Sequence, residues 1–327
     1  MIVGEALAEG AALLRKAGVD SPSLDSSLLL AASLGIDRSR LLARRSDPLA
    51  PQVEERYRNY LYRRATGDCT AYVLGSKEFR GLDFVVTPDV LVPRPDTETL
   101  VEAAAAWIDA QPRDFTGKGS SAPLRLLDVC TGSGCVAVSL KSERPDVDVS
   151  ASDLSPAALA VARVNAERLL NSRHRDTEYT ERAPSSSVPS FSSSVSSVAD
   201  SSIRFYESDL LASVPGRFDL IVSNPPYVPS GVIPGLAVEV RREPRLALDG
   251  GADGLDLIRR LVRESRERLD GGGRLLVESG ADQTARIAEL MAKAGFIGIE
   301  TIRDLAGLER VTGGSVPDNS DKAAHGE

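Results

Sequence analysis

Residues Leu124–Glu143 read LRLLDVCTGSGCVAVSLKSE, and their hydrophobic pattern changes at two glycines. The segment LRLLDVC predicts a buried strand, and CVAVSLKSE predicts a helix. Gly132 and Gly134 lie between them and let the backbone pass close to a ligand where the helix N-terminus begins. The stretch therefore predicts the strand, loop and helix of a nucleotide-binding α/β fold.

The same alternation of strand and helix continues to the end of the folded sequence. Further strands are predicted in VDVSASD, IRFYESD, FDLIVSN, GRLLVESG, IGIETIRDL and LERVTGG, and further helices in SPAALAVARVNAERLL, GLDLIRRLVRESRERL and DQTARIAELMAKAG. Such alternation predicts a mostly parallel sheet with helices on both faces. Ligands of these sheets bind at the carboxyl ends of the strands.

The N-terminal part of the chain has a different pattern. Residues 1–72 carry apolar side chains three and four positions apart, which predicts helices. In residues 73–95, KEFRG and LDFVVT predict a β-hairpin linker. The α/β domain is expected over 96–314, and Asp96 or Thr97 is expected to cap its first helix.

Two segments are excluded from these domains. Eleven of the twenty residues in 183–202 are serine, and such a composition cannot bury enough apolar surface to offset the entropy of ordering. We therefore predict a disordered insertion over 171–202 and a flexible tail over 315–327.

Composition narrows the class of protein. The chain has 327 residues with 39 Lys and Arg against 47 Asp and Glu, a net charge of −8, which argues against a protein that coats nucleic acid. Residues 1–18 lack the pattern of a signal peptide, and no apolar run is long enough to span a membrane. Three cysteines (Cys69, Cys130 and Cys135) without a ligand cluster indicate reduced thiols, no metal site and a cytoplasmic protein.

Acidic residues select among the nucleotides that this loop can hold. Gly132-x-Gly134-x-x-Ala137, with Asp153 placed to accept from ribose hydroxyls, fits NAD, FAD or S-adenosylmethionine. Asp128, inside the preceding strand, suggests an anchor for loop amides or a ligand ammonium. Asp209 ends the third predicted strand, where an adenine amine could lie over Leu210. This series of acids favours S-adenosylmethionine.

The fourth strand ends in Asn-Pro-Pro-Tyr, residues Asn224–Tyr227. The Asn224 side-chain oxygen and the Pro225 carbonyl can accept the two hydrogens of an amide or amine nitrogen, and Pro226 restricts the conformation of Pro225. Tyr227 can stack on the planar group. Positioning of this kind can supply about 7–11 kcal/mol in favourable cases, so the motif predicts methyl transfer to such a nitrogen.

DVCTGSG, SDLSP, ESD and NPPY, in this order, resemble the amino-methyltransferases of the Rossmann-like class that use S-adenosylmethionine. GSKEFRGLDFVVTPDVLVPRPDTETLVE resembles the signature of the bacterial peptide chain release factor N5-glutamine methyltransferases, the HemK/PrmC family. The resemblance covers about residues 1–170 and 203–314. It implies a Rossmann-like class I S-adenosylmethionine-dependent methyltransferase sheet, a small N-terminal helical domain and a connecting β-hairpin.

The resemblance also implies a function. The methyl group of S-adenosylmethionine would pass to the side-chain amide nitrogen of the glutamine in the Gly-Gly-Gln motif of class 1 release factors, which modulates translation termination. The helical domain would help to dock the release factor, without direct contact to nucleic acid or a membrane. Asn224, Pro225 and Tyr227 would be catalytic, Asn224 to Tyr227 would bind the glutamine, and the cofactor would lie against Cys130, Thr131, Gly132, Ser133, Gly134, Asp153, Asp209, Leu210 and Asn224. The family usually has glycine where this chain has Cys130.

Three alternatives remain from the motifs alone. A DNA adenine N6-methyltransferase shares Asn-Pro-Pro-Tyr, but its recognition region should be basic. An N5-glutamine methyltransferase of a ribosomal protein shares the architecture and differs in the PRPDTE block. A non-catalytic nucleotide sensor would not need the intact acceptor motif.

Overall fold

The computed structural model describes residues 1–111, 123–171 and 203–318, which form two units. A helical unit comprises residues 1–76 together with 237–242, and an α/β unit comprises the other described residues. The predicted Ser-rich insertion lies outside the described residues, apart from Asn171, which ends a helix rather than beginning the insertion.

The helical unit contains five helices before the hairpin. They are α1 (Val3–Lys16), α2 (Pro22–Leu34), α3 (Arg38–Ala43), α4 (Pro51–Ala65) and α5 (Thr70–Leu74). Their apolar stripes form one core that includes Leu14, Leu29 and Leu61, so the predicted helical domain is confirmed. Its boundary at residue 72 was placed too early, because α5 crosses that position and the unit extends to Ser76.

A buried ion pair joins two helices of this unit. Arg64 Nε, on α4, donates to Asp25 Oδ2, on α2, at 2.7 Å, and both residues are almost completely buried. Arg64 Nη2 lies 3.2 Å from Glu239 Oε1, and Glu239 belongs to the short helix α9 (Val238–Arg241) of the same unit. The Arg64 guanidinium therefore links three helices.

The predicted β-hairpin is confirmed as a two-stranded sheet of β1 (Ser76–Phe79) and β2 (Leu82–Val85). Arg80 and Gly81 form the two-residue turn, with φ of 50° and 73°. Positive φ at both central positions is what the twist of a tight hairpin requires.

The α/β unit is built on a seven-stranded sheet with the order β5-β4-β3-β6-β7-β9-β8. Its strands are β3 (Arg125–Val129), β4 (Asp148–Asp153), β5 (Ile203–Glu207), β6 (Phe218–Ser223), β7 (Leu269–Glu278), β8 (Ile297–Arg303) and β9 (Glu309–Ser315). The neighbours from β5 to β7 are parallel, and β9 runs antiparallel to β7 and β8. The mostly parallel sheet predicted from the alternating pattern is thus confirmed.

Helices cover both faces of this sheet. They are α6 (Glu98–Ala110), α7 (Cys135–Glu143), α8 (Pro156–Asn171), α10 (Asp256–Arg268) and α11 (Thr284–Lys293). Successive residues of β3 point to opposite faces: Leu126 packs in a core with α6, α7 and α8, and Leu127 packs in a core with α10 and α11. Full burial of each such side chain stabilises the fold by about 1.5–3 kcal/mol.

The structure corrects two expectations about the ends of this unit. Neither Asp96 nor Thr97 caps α6 with its side chain, because the Thr97 hydroxyl bonds to other groups and Asp96 pairs with Arg310. The tail was predicted to begin at residue 315, but Ser315 ends β9 and Val316 is buried and bonded to Gly273. Among the described helices, none combines the length and apolar character that crossing a membrane requires.

Removing the carboxylate of Asp25 should destabilise the helical unit. Asp25→Ala leaves the buried Arg64 guanidinium without its closest partner, which costs about 3–5 kcal/mol when a buried pair is broken. Glu54→Ala is the matched control, since Glu54 pairs with an exposed arginine on α4, and such pairs contribute only about 0–1 kcal/mol. Hydrogen exchange of peptides from α2 and α4, measured on the full chain, reports both effects. Equal protection in the two variants would contradict the prediction.

Candidate active site

A cavity of about 290 Å³ lies at the carboxyl ends of β3, β4 and β6. Nine of the residues predicted to bind cofactor or substrate line it: Cys130, Thr131, Gly132, Ser133, Asp153, Asp209, Leu210, Asn224 and Pro226. The predicted Gly134, Pro225 and Tyr227 lie beside the cavity but not in its lining. The position of the site follows from the sheet, because parallel strands end at a common edge.

The glycine loop after β3 has a backbone that few other residues could adopt. Gly132 and Gly134 have φ of 55° and 81°. A Cβ on Gly134 would also lie 3.1 Å from the Cβ of Ala162 on α8. Cys130 adopts φ of 61° at the position where glycine was expected. A left-handed conformation costs a non-glycine residue about 1–2 kcal/mol, so the thiol is accommodated with backbone strain.

Two aspartates hold the loop in place. Asp128 Oδ2 accepts from the Thr131 hydroxyl at 2.6 Å and from the Ala137 amide at 3.2 Å. Asp153 accepts from the amides of Gly132 and Ser155, each at 2.9 Å. Burial raises the pKa of Asp128 to about 7 and also raises the pKa of Asp153. Asp128 therefore anchors the loop, which is one of the two roles that the sequence suggested.

Asn165, on α8, connects the same loop to the hairpin. Its side-chain nitrogen donates to the carbonyls of Ser133 and Val85, at 2.9 Å and 3.0 Å, and its oxygen accepts from the Val85 amide at 2.7 Å. The side chain is fully buried. Sequence reasoning missed Asn165, and its only signal is a polar residue on the apolar face of a predicted helix.

Asp209 and Leu210 follow β5 at the opposite wall of the cavity. Leu210 is buried and has φ of 51°, and its carbonyl accepts from the Ser152 hydroxyl at 3.3 Å. Asp209 is half-exposed and pairs with Arg260 at 2.9 Å. A hydrogen-bond acceptor thus lies beside an apolar side chain, as an adenine ring requires.

Asn224 is held by a hydrogen bond to a residue far away in sequence. Its Nδ2 donates to Thr97 Oγ1 at 3.0 Å, and Thr97 donates to Glu278 Oε1 at 3.2 Å. Glu278 ends β7 and is almost completely buried, and burial raises its pKa to about 7. The Asn224 side chain consequently has its carbonyl oxygen available on the side away from Thr97.

Hydrogen bonds at Tyr227 and at the next residue, Val228, fix the backbone of the Asn-Pro-Pro-Tyr segment. The carbonyl of Tyr227 accepts from Gln283 Nε2 at 3.0 Å, and Val228 forms backbone bonds to Leu248 and Gly250 at 2.9 Å. A Cβ on Gly250 would lie 2.8 Å from the Pro226 carbonyl oxygen, so this close approach requires glycine. Burial raises the pKa of Tyr227 to about 12, which keeps the phenol neutral.

The PRPDTE block forms another part of the cavity wall. Arg94 and Thr97 line it, and Arg94 pairs at 2.5 Å with Glu243, whose side chain is fully buried. Glu243 also accepts from the Val92 amide at 3.3 Å. From the sequence, this block was interpreted as a family signature and as the start of a helix, and its place in the cavity wall was not predicted. Glu278, also missed, had the same signal as Asp128: an acid inside a buried strand.

The cavity fits S-adenosylmethionine. The glycine loop offers close backbone approach, Asp153 and Asp209 offer acceptors for ribose and adenine, and most of the remaining lining is apolar. Within the described part of the chain, no group of three or more His, Cys, Asp or Glu is arranged to hold a metal ion.

Comparisons with known proteins agree with these features. A family model of the PrmC N-terminal domain matches residues 5–75. Release factor glutamine methyltransferases are similar over nearly the full length: 41% identity with that of Burkholderia pseudomallei, covering 95% of this chain and 97% of the relative, and 37% with that of Geobacter sulfurreducens, covering 93% of each.

A solved structure shares the fold. The hMettl16 catalytic domain, solved in complex with a MAT2A 3′UTR hairpin, is 15% identical, with a TM-score of 0.50, over 80% of this chain and 83% of that one. At this identity the likeness concerns the fold alone. The two full-length relatives, together with the matched N-terminal domain, show that this chain belongs to the release factor glutamine methyltransferase family.

Proposed function

We propose that this protein transfers a methyl group from S-adenosylmethionine to the N5 nitrogen of the glutamine in the Gly-Gly-Gln motif of class 1 release factors, and that it acts in the cytoplasm. The observation that carries the proposal is the Asn224 side chain, whose amino group is bonded to Thr97 and whose oxygen remains as an acceptor beside the cavity. The family to which the chain belongs supports the same substrate.

The cofactor would be held by groups already arranged around the cavity. The glycine loop, Cys130 to Gly134, would pack against it, Asp153 would accept from the ribose hydroxyls, and Asp209 and Leu210 would hold the adenine. When bound, S-adenosylmethionine supplies an electrophilic methyl group on a sulfonium. Because Asp128 already anchors the loop, the loop needs little rearrangement to receive it.

The residues that follow β6 would act on the glutamine. An amide nitrogen is a poor nucleophile, since its lone pair is delocalised into the carbonyl group. The Asn224 oxygen and the Pro225 carbonyl would accept its two hydrogens and favour a pyramidal nitrogen with its lone pair directed at the methyl group. Tyr227 would stack on the planar amide. The nitrogen would gain the methyl group as the bond from that methyl to the sulfonium sulfur breaks, leaving a neutral thioether, and it would then lose one proton to solvent, so no strong base is required.

The proposed substrate can be tested by competition. The protein is incubated with methyl-labelled S-adenosylmethionine, a full-length class 1 release factor, ribosomal proteins and duplex DNA. We expect label on the release factor only, and mass spectrometry should place it on the glutamine of the Gly-Gly-Gln peptide. A release factor with that glutamine replaced by alanine is the control. Label on DNA or a ribosomal protein, with none on the release factor, would overturn the proposal.

Asp153→Ala should weaken binding of S-adenosylmethionine. The carboxylate both positions the Gly132 amide and is placed to accept from the ribose, and a hydrogen bond to a charged group is worth about 1.5–3 kcal/mol, or about 10- to 150-fold in affinity. Asp148→Ala is the matched control, because Asp148 begins the same strand and pairs with the exposed Arg204. Calorimetry should show loss of affinity in the first variant only, and unchanged affinity there would refute the assignment.

Asn224→Ala should affect chemistry more than docking. It removes one of the two acceptors of the amide hydrogens, so the single-turnover rate should fall about 10- to 150-fold, as for a hydrogen bond worth about 1.5–3 kcal/mol. Binding of the release factor should change little, since most of its contacts lie elsewhere. Asn171→Ala, at the exposed end of α8, should leave both unchanged. A normal single-turnover rate in Asn224→Ala would rule out this role.

A further inference from the structure

Asn224, Thr97 and Glu278 form a series of hydrogen bonds that ends at a buried carboxylate. The two bonds measure 3.0 Å and 3.2 Å. Thr97 and Glu278 are 2% and 1% exposed, and Glu278 Oε2 has no hydrogen-bond partner among the described residues. Glu278 is not part of the cavity lining, so it cannot serve by touching cofactor or substrate there.

The direction of both hydrogen bonds is set by the carboxylate. An ionised carboxylate only accepts, so the single hydroxyl proton of Thr97 must be donated to Glu278. The Thr97 oxygen can then only accept from Asn224, and the amide must present its nitrogen. A side-chain amide has nearly the same shape in either orientation, so packing alone would discriminate poorly between them.

We propose that Glu278, acting through Thr97, is a positioning residue that keeps the Asn224 oxygen directed at the acceptor nitrogen. The inference rests on the proposed function, in which that oxygen accepts from the glutamine amide. If the Asn224 amide adopted the reversed orientation, its amino group would face the two N–H groups of the glutamine. No hydrogen bond could form between them, because both groups are donors.

Protonation of Glu278 removes this control. A neutral carboxyl group can donate to Thr97, which frees the hydroxyl proton to bond the Asn224 oxygen and stabilises the reversed amide. Hydrogen bonding from Thr97 and from the nearby Asn224 amide favours ionisation of Glu278, as does the charge of Arg310, whereas Asp96 opposes it. Asp96 and Arg310 are themselves paired at 3.0 Å. Tyr227 and Cys135 also face the carboxyl group, and burial keeps both neutral. Since burial raises the pKa of Glu278 to about 7, the productive orientation is present above that pH and is lost below it.

Substitutions at Thr97 test the series directly. Thr97→Val keeps the shape and removes the hydroxyl, so kcat should fall about tenfold or more with KM for the release factor little changed, as for one lost hydrogen bond in the transition state. Thr97→Ser keeps the hydroxyl and should restore most of the rate. Thr99→Val, the same change at a buried position on α6, should leave kcat unchanged. Wild-type turnover in Thr97→Val, or equal losses in the serine and valine variants, would overturn the inference.

The pH profile tests Glu278 itself. The wild-type single-turnover rate should rise with pH through about 7, where Glu278 ionises. Glu278→Gln is neutral at every pH, so its profile should keep only the part of this limb that Asp128 contributes, because burial raises the pKa of Asp128 to about 7 as well. Persistence of the same limb in Glu278→Gln would assign it to another group and contradict the proposal.

A measurement without substrate separates this inference from the proposed function. In 15N-labelled protein, the Asn224 side-chain amide signal is identified by its absence in Asn224→Ala. Thr97→Val should shift this signal and speed exchange of its hydrogens with water, and Thr99→Val should not. If wild-type protein fails to methylate the release factor, only the proposed function falls. An unchanged Asn224 signal in Thr97→Val would overturn the positioning role whatever the substrate.

Discussion

Polar groups buried at the carboxyl edge of the sheet must find partners there, and the arrangement of the site follows from this requirement. A buried polar group without a hydrogen bond costs about 1–3 kcal/mol. Asp128 is satisfied by the loop that it precedes, Ser223 by the Val129 carbonyl at 2.7 Å, and the Oε1 atom of Glu278 by Thr97, while Glu278 Oε2 has no partner among the described residues. Each of these bonds connects the end of one strand to another segment. The hydrogen bonds that satisfy these buried polar groups therefore also hold the loops around the cavity in place.

Backbone strain is concentrated in the same place. Among the described residues, three that are not glycine have positive φ: Arg80, Cys130 and Leu210. Arg80 lies in the hairpin turn, where the conformation is required, and the other two line the cavity. Strained backbone persists only where the surrounding structure fixes it. Here Val129, which precedes Cys130, accepts from Ser223, and the Leu210 carbonyl accepts from Ser152, so the sheet itself holds both strained positions.

Local pattern in the sequence predicted the fold and one part of the site, for a physical reason. Strands and helices are short-range features, and residues directly after a parallel strand must lie at its carboxyl edge. Asp153 and Asn224 could be placed in this way. Thr97 could not, because its partner Asn224 is 127 positions away. A threonine next to a helix start also has a plausible local use as a cap, and that alternative was favoured wrongly. The role of Asn165 could not be predicted from the sequence for the same reason, since its partners lie in the glycine loop and in the hairpin.

The proposed acceptor site would recognise a planar nitrogen with two hydrogens, and it would make few contacts with the rest of the molecule that carries this nitrogen. One side-chain oxygen, one main-chain carbonyl and one aromatic ring would serve an amide or an exocyclic amine equally well, which is why the Asn-Pro-Pro-Tyr motif alone left several substrates open. Choice between them must come from surfaces outside the cavity and from charge. The net charge of −8 disfavours a polyanion. In the proposed function, the orientation of Asn224 would therefore set the rate of methyl transfer, and contacts outside the cavity would select the protein that presents its glutamine.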